Sequence, residues 1–329
     1  MGILVSILCG FIPMFAYAGF VYWLDRYEKE PTLLLVGVFL WGAVIASAGA
    51  FLMNTLFGIS IYSITGSERA ADLSTSALSA PLVEESLKGF AVLLVFLLAR
   101  HEFDSILDGI IYAAITALGF AATENAYYIY TYGFAEKGWS GLTGIAFIRV
   151  ILVGWQHPFY TSFIGIGLAI ARMNRGCLVK VAAPLAGLGL AMFTHAFHNT
   201  LASLLSGPGM FFGFFIDWTG WLAMFIFILV LINREKRWIE EYLREEVTLG
   251  TLSNNQYLTA ASTIRRFVAH FSSLSAGSFR QTGRFYQLCA ELAHKKRQFA
   301  TLGDEKGNTA IIGDLRAEIA RLAPAAPAG

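Results

Sequence analysis

The chain has 329 residues, 56% of them hydrophobic and only 14% charged, with a formal net charge of +1. Soluble domains carry about 25% charged residues, so an ordinary water-soluble enzyme is excluded for most of the chain. The near-zero net charge offers no footprint for nucleic acid. Charge is scarce over 1–232 and dense over 233–329. That shift predicts a transmembrane domain over 1–232, a soluble helical tail over 233–322 and a disordered Ala/Pro-rich terminus over 323–329. The cysteines, Cys9, Cys177 and Cys289, lie in separate segments with no metal-binding spacing, so they are expected to be apolar packing residues rather than a disulfide framework.

At the N-terminus, Ala16-Tyr17-Ala18 resembles a signal cleavage site, but no basic residues precede the apolar run, which continues to Leu24. It is therefore expected to remain as a first span. Stretches of about 20 apolar residues suffice to cross a bilayer. They predict seven spans, at 3–24, 31–57, 78–99, 105–132, 145–171, 181–206 and 210–232. The fold class is all-α, a polytopic membrane helix bundle followed by a soluble helical tail. Within the tail, Thr263 to Ser272 and Arg284 to Ala300 read as amphipathic helices carrying Arg265, Arg266, Lys295, Lys296 and Arg297. They suit either a solvated bundle or a face for anionic lipid or a cytoplasmic partner.

Lys and Arg in short loops set orientation. With the N-terminus outside, the inner side holds Arg26, Lys29, Arg100, Arg172, Arg175, Lys180, Arg234, Lys236 and Arg237, against Arg69 and Lys137 outside. The bias predicts a multi-pass cell-membrane protein with its N-terminus out and its C-terminus cytoplasmic.

Ionisable side chains near a bilayer centre cost about 2.5–3.5 kcal/mol each on insertion scales and usually serve function. Here they include Glu84, Glu85 and Lys88 in the third span, and Glu124, beside Asn125, in the fourth. Arg149 and His157 follow in the fifth, His195 and His198 with Asn199 in the sixth, and Asp217 in the seventh. At about 1.5 Å rise per residue, Glu84, Glu124, His195, Asn199 and His157 fall roughly 9, 12, 16, 10 and 18 Å below the outer surface. Helices of alternating direction thus bring them to similar depth, which predicts one polar cavity opening outward. Glu84 and Lys88 are four residues apart, Glu85 and Lys88 three, and His195 and Asn199 four, so each pair shares a helix face. Blander roles are a structural ion pair for Glu84–Lys88, interhelical hydrogen bonds for the histidines, an interfacial cap for Asp217 and snorkelling for Arg149.

Glu84-Glu85-Ser86-Leu87-Lys88 resembles the EExxK motif of the PrsW family of intramembrane proteases, and Phe120-Ala121-Ala122-Thr123-Glu124-Asn125 its FxxxEN motif. Gln156-His157 and His195-Ala196-Phe197-His198-Asn199 resemble its two later histidine motifs. Asp25 to Pro31 and Phe103 to Gly109 also fit, so the resemblance spans about 20–206 in consistent order. The wider group includes the CAAX-type prenyl-protein proteases. From that pattern the chain departs at Lys88, where the basic residue falls one position earlier, and at Glu124, which replaces a histidine. The resemblance implies cleavage of a single-pass membrane protein, anti-sigma-factor-like, at an extracytoplasmic site.

Peptide hydrolysis needs an activated water, an oxyanion partner and a proton for the leaving amine. Glu84 or Glu85 is the expected base, with Glu84 favoured by the family analogy. Glu124 would orient the water, His195 and Asn199 would stabilise the oxyanion, and His157 would donate a hydrogen bond or proton. Lys88 would keep one glutamate ionised, with Asn125 and His198 in support. Zinc is an alternative, with Glu85, Glu124, His157 and His195 as permissible ligands, although there is no HExxH. A non-catalytic scaffold or receptor could use the same cavity but does not need three acidic groups in it. A proton-coupled transporter would be expected to show repeats, and none is visible.

Overall fold

A computed structural model describes residues 1–205, 209–275, 277–304 and 307–326. Among them there are helices and no strands, as the apolar runs predict. The chain forms two compact units: Met1–Trp23, Glu30–Arg172 and Gly176–Phe227 in the first, Leu24–Lys29, Met173–Arg175 and Ile228–Gly329 in the second.

The first unit is a multi-pass membrane helix bundle. It begins with α1 (Gly2–Leu24) and α2 (Thr32–Thr65). A short α3 (Glu68–Ser74) leads through a π-helical turn into α4 (Ala80–Leu98). Then come α5 (Ile106–Tyr128), α6 (Ala135–Ala146), α7 (Gln156–Arg172), α8 (Cys177–Leu204) and α9 (Gly209–Tyr242), whose C-terminal part belongs to the second unit. Length and apolar composition alone nominate five helical stretches as spans, the stretch Ile106–Arg172 counting as one. That stretch holds both α5 and α7, and α4 escapes the same reading because of Glu84, Glu85 and Lys88.

α5 is the central helix. Ser105 caps its N-terminus in a reciprocal box with Asp108, satisfying amide groups that would otherwise be bare in an apolar setting. Every residue from Leu107 to Ala122 is buried, as expected of a helix apolar on all sides. Neighbours approach its backbone closely at glycines. A Cβ on Gly165 of α7 would meet the Gly109 carbonyl oxygen at 1.9 Å, and one on Gly119 the Phe39 carbonyl oxygen at 2.0 Å. Small residues permit this packing, which replaces the hydrophobic effect as the cohesive force between helices in lipid. A buried hydrogen bond from Tyr112 to Glu30 fixes the start of α2 to α5.

The fifth predicted span, 145–171, is interrupted. α5 runs through a π-helical turn (Ile129–Phe134), the chain reverses at Gly138, which has φ 60°, and the return helix ends in a second π-helical turn (Phe147–Leu152). Val153 then leaves helical geometry, and α7 starts only at Gln156. His157 therefore lies in the first turn of a new helix, not in mid-helix. Apolar content on either side kept this stretch within one predicted span, although Gly154 and Pro158, which falls in the first turn of α7, flank the break.

The second unit packs α10 (Arg244–Thr248), α11 (Asn254–Ala260), α12 (Thr263–Ser275), α13 (Phe279–Leu302) and α14 (Asn308–Leu322). Its core centres on Phe285, Tyr286, Leu288, Cys289 and Leu292 of α13. Burial pushes the Cys289 thiol up to about 12, and all three cysteines are free. Burial opposes the charge of Glu246, but Arg316 and Lys296 outweigh it and hold the carboxyl below its usual range. In the expected disordered terminus, Ala323–Ala325 form a 3-10 turn and Ala326 is buried. Residues 327–329 lie outside the described residues.

Candidate active site

One end of the bundle collects the polar groups. Glu84 and Glu85 sit in the first half of α4, Glu124 and Asn125 near the end of α5, His157 at the start of α7, and His195, His198 and Asn199 near the end of α8. A cavity of about 1230 Å³ there is lined by Glu84, Glu124, His157, His195 and Asn199, together with Tyr160 and apolar residues of α2. Glu84, Glu124, His157, His195 and Asn199 thus share a cavity, His157 reaching it from the start of a new helix.

The two adjacent glutamates have different surroundings. Glu85 is fully buried and does not line the cavity. Its Oε1 accepts hydrogen bonds from Lys88 Nζ at 2.6 Å and His195 Nδ1 at 2.9 Å, and its Oε2 accepts from Thr161 at 2.9 Å. Both oxygens are committed. Glu84 lines the cavity. Its Oε1 accepts a long 3.5 Å bond from Asn54, and Lys88 Nζ lies 3.8 Å from its Oε2. Among the described residues, the buried Oε2 has no hydrogen-bond partner. A buried carboxylate oxygen left without a partner is costly, which marks this atom as a place for water, substrate or a cation.

Around Glu84 the imidazoles are oriented by carboxylates. By donating Nδ1–H to Glu85, His195 presents the lone pair of Nε2, which lies 3.9 Å from Glu84 Oε2. His157 donates Nε2–H to Glu124 at 2.8 Å, and its Nδ1 accepts from Lys88 at 3.2 Å. Glu124 is also paired with Arg149, whose Nε donates to Asn125 at 3.0 Å. Arg149 thus does not snorkel; it joins the network. His198 lines the same cavity but is paired with Asp217 at 2.8 Å, tying α8 to α9. Asn199 spends an amide hydrogen on the Ser76 carbonyl at 2.9 Å while its side chain still borders the cavity.

Glu84, His157 and His195 each offer a ligand atom, and these atoms lie within 4.8 Å of one another. The set fits a divalent cation of zinc type: one carboxylate and two imidazoles, each imidazole buttressed by a second carboxylate, an arrangement that fixes tautomer and raises basicity. His157 would have to exchange its Lys88 contact to join it. Of the four sequence-proposed ligands, only His157 and His195 belong to this set. Glu85 and Glu124 instead hold the outer nitrogens of those two imidazoles.

Residues that sequence reading passed over complete the site. Tyr160 stacks on His195 with ring centroids 4.8 Å apart, and Thr161 bonds Glu85. They lie three and four positions after His157, so helical spacing would have nominated both. Asn54, held by Ser79 at 2.7 Å, had only its lone amide in an apolar span as a signal. Gln156 is buried with both side-chain amide atoms unpartnered among the described residues.

These features define a class: a membrane helix bundle that gathers carboxylates and imidazoles of the kind hydrolysis requires around one cavity. Comparison with known proteins narrows it. Residues 30–232 match the PrsW family of intramembrane metalloproteases, and the chain belongs to that family. Protease PrsW of Geobacillus kaustophilus is 29% identical over 219 residues, covering 66% of this chain and 88% of the relative. Protease PrsW of Bacillus subtilis is 29% identical over 168 residues, covering 51% and 69%. That of Clostridioides difficile is 37% identical over 108 residues, covering 32% and 43%. No solved structure matches the chain. The chain is accordingly a peptidase of the membrane, and the second unit falls largely beyond the family match.

Proposed function

We propose that this peptidase hydrolyses a peptide bond in a single-pass, membrane-anchored protein near the outer face of the membrane, with Glu84 as the group that activates water. The observation that carries this reading is the buried Oε2 of Glu84, unpartnered among the described residues, in a residue that lines the cavity together with His195 and His157. Glu84 takes a proton from water and returns it to the leaving amine. Lys88 and Thr161 hold Glu85 in place, and Glu85 holds His195 in the tautomer that presents Nε2. Protonated at Nε2, the His195 imidazole would supply a hydrogen bond to the developing oxyanion. Asn199, at the cavity edge, would orient the substrate backbone, and Glu124 with Arg149 fixes His157. In the alternative, with His195 Nε2 unprotonated, Glu84, His157 and His195 would hold a zinc ion, which when bound would supply Lewis acidity in place of that hydrogen bond. An anti-sigma-factor-like substrate follows from the family resemblance.

Cells expressing the wild type and Glu84→Ala should differ in a small set of membrane-protein fragments, present only with the wild type and cut just outside the predicted outer membrane boundary. Identical fragment sets would refute the role of Glu84. The charge bias supports an outside N-terminus and a cytoplasmic tail. Alkaline phosphatase fused after residue 329 should therefore be inactive, and an active fusion would reverse the orientation.

A further inference from the structure

The amphipathic helix α12 is packed with its small and polar side inward. Ala269 and Ser273 are fully buried, while Ile264, Phe267, Val268, Phe271 and Leu274 are exposed, Phe267 and Phe271 at 70% and 68%. Their spacing of three and four residues makes one continuous stripe. A helix in a water-soluble bundle would bury that stripe, so something else covers it.

The surrounding sequence says what. Between Glu246 and Glu291 there is no Asp or Glu. Of the four arginines in that interval, Arg266 turns inward and Arg284 pairs with Glu291 and Glu318, while Arg265 and Arg280 are exposed. An apolar stripe in an acid-free, arginine-bearing segment has the composition of a helix lying in an anionic lipid surface. Chain geometry adds a second, independent constraint. Arg266 donates hydrogen bonds to the carbonyls of Arg26 and Tyr27 at 3.3 and 3.0 Å, and its guanidinium lies over the Tyr27 ring at 5.7 Å. Arg26 and Tyr27 follow Leu24, the last residue of spanning helix α1, so the chain allows at most about 10 Å between Tyr27 and that helix end. The inward face of α12 is thus clasped to a loop tethered at the membrane boundary.

We infer that α12 is an interfacial anchor: its apolar stripe lies in the headgroup region of the adjoining leaflet, and Arg265 on it and Arg280 just after it favour anionic phospholipid. This role is separate from peptide hydrolysis and does not depend on the assignment of Glu84.

The test uses the full chain in nanodiscs loaded with one copy each, with Cys9→Ser, Cys177→Ser and Cys289→Ala as background. Nitroxide labels go at Phe267→Cys or Phe271→Cys, with exposed Thr309→Cys on α14 as control. In discs of phosphatidylcholine with phosphatidylglycerol, labels at 267 and 271 should be shielded from a water-soluble nickel relaxant severalfold more than the label at 309, and should gain accessibility to oxygen. Arg265→Glu with Arg280→Glu should reduce that shielding and remove its dependence on phosphatidylglycerol. Equal nickel accessibility at 267, 271 and 309 would overturn the inference and point to a protein partner for the stripe. Shielding unaffected by phosphatidylglycerol or by the arginine variants would overturn the anionic-lipid part.

Discussion

Glu84→Gln is expected to lower peptide hydrolysis about 10²–10⁴-fold, the range for loss of a positioned acid–base group, while leaving the protein folded. Glutamine keeps the size of the side chain and an oxygen that can accept from Asn54, the side-chain hydrogen bond that Glu84 makes among the described residues. What it loses is the charge of the carboxylate, including that on the buried Oε2, which has no hydrogen-bond partner among the described residues. Kinetics and thermal unfolding of the purified variant in detergent would separate the two effects. Metal content adds a further distinction. If Glu84 is a ligand, bound zinc should fall in Glu84→Gln as well as in His195→Ala. If it acts only as base, zinc should fall in His195→Ala alone. Wild-type activity in Glu84→Gln would sink the assignment, and full activity in metal-free protein would sink the zinc site while leaving Glu84 as base.

Lys88→Met should be the most damaging substitution for the fold of the bundle. Lys88 and Glu85 are both fully buried and meet at 2.6 Å. Removing one partner of such a pair leaves an uncompensated charge, at a cost of about 3–5 kcal/mol. Thr161 and His195 still donate to Glu85, which favours the lower end of that range. Adding Glu85→Gln should recover much of the stability, because an amide needs no counter-charge. It should not restore activity, since His195 would lose the carboxylate that sets its tautomer. A double-mutant cycle read by unfolding in detergent would measure the coupling. A Lys88→Met protein as stable as the wild type would show that the pair contributes little.

Much of this is legible in the sequence. Glu84, Glu85, Lys88, Glu124, His157 and His195 stand out because ionisable groups in apolar spans are costly, and their ordered motifs pointed to the PrsW family. Helix rise alone brought most of them to one depth. The break before Gln156 was missed because hydropathy alone averages over it; Gly154 and Pro158 on either side were the signal available. The inverted packing of α12 was not legible, since its periodicity shows a stripe without saying which way it faces.

The sequence by itself determined the membrane bundle, the residues available for chemistry and the family, because burial of charge in lipid is a composition-level cost that can be read residue by residue. Only the tertiary structure separated the two adjacent glutamates. Lys88, Thr161 and His195 converge on Glu85 from three helices, while Glu84, one position away and turned about 100° around its helix, lines the cavity and has an oxygen unpartnered among the described residues. That difference depends on what neighbouring helices bring to each face, and no local pattern along the chain contains it.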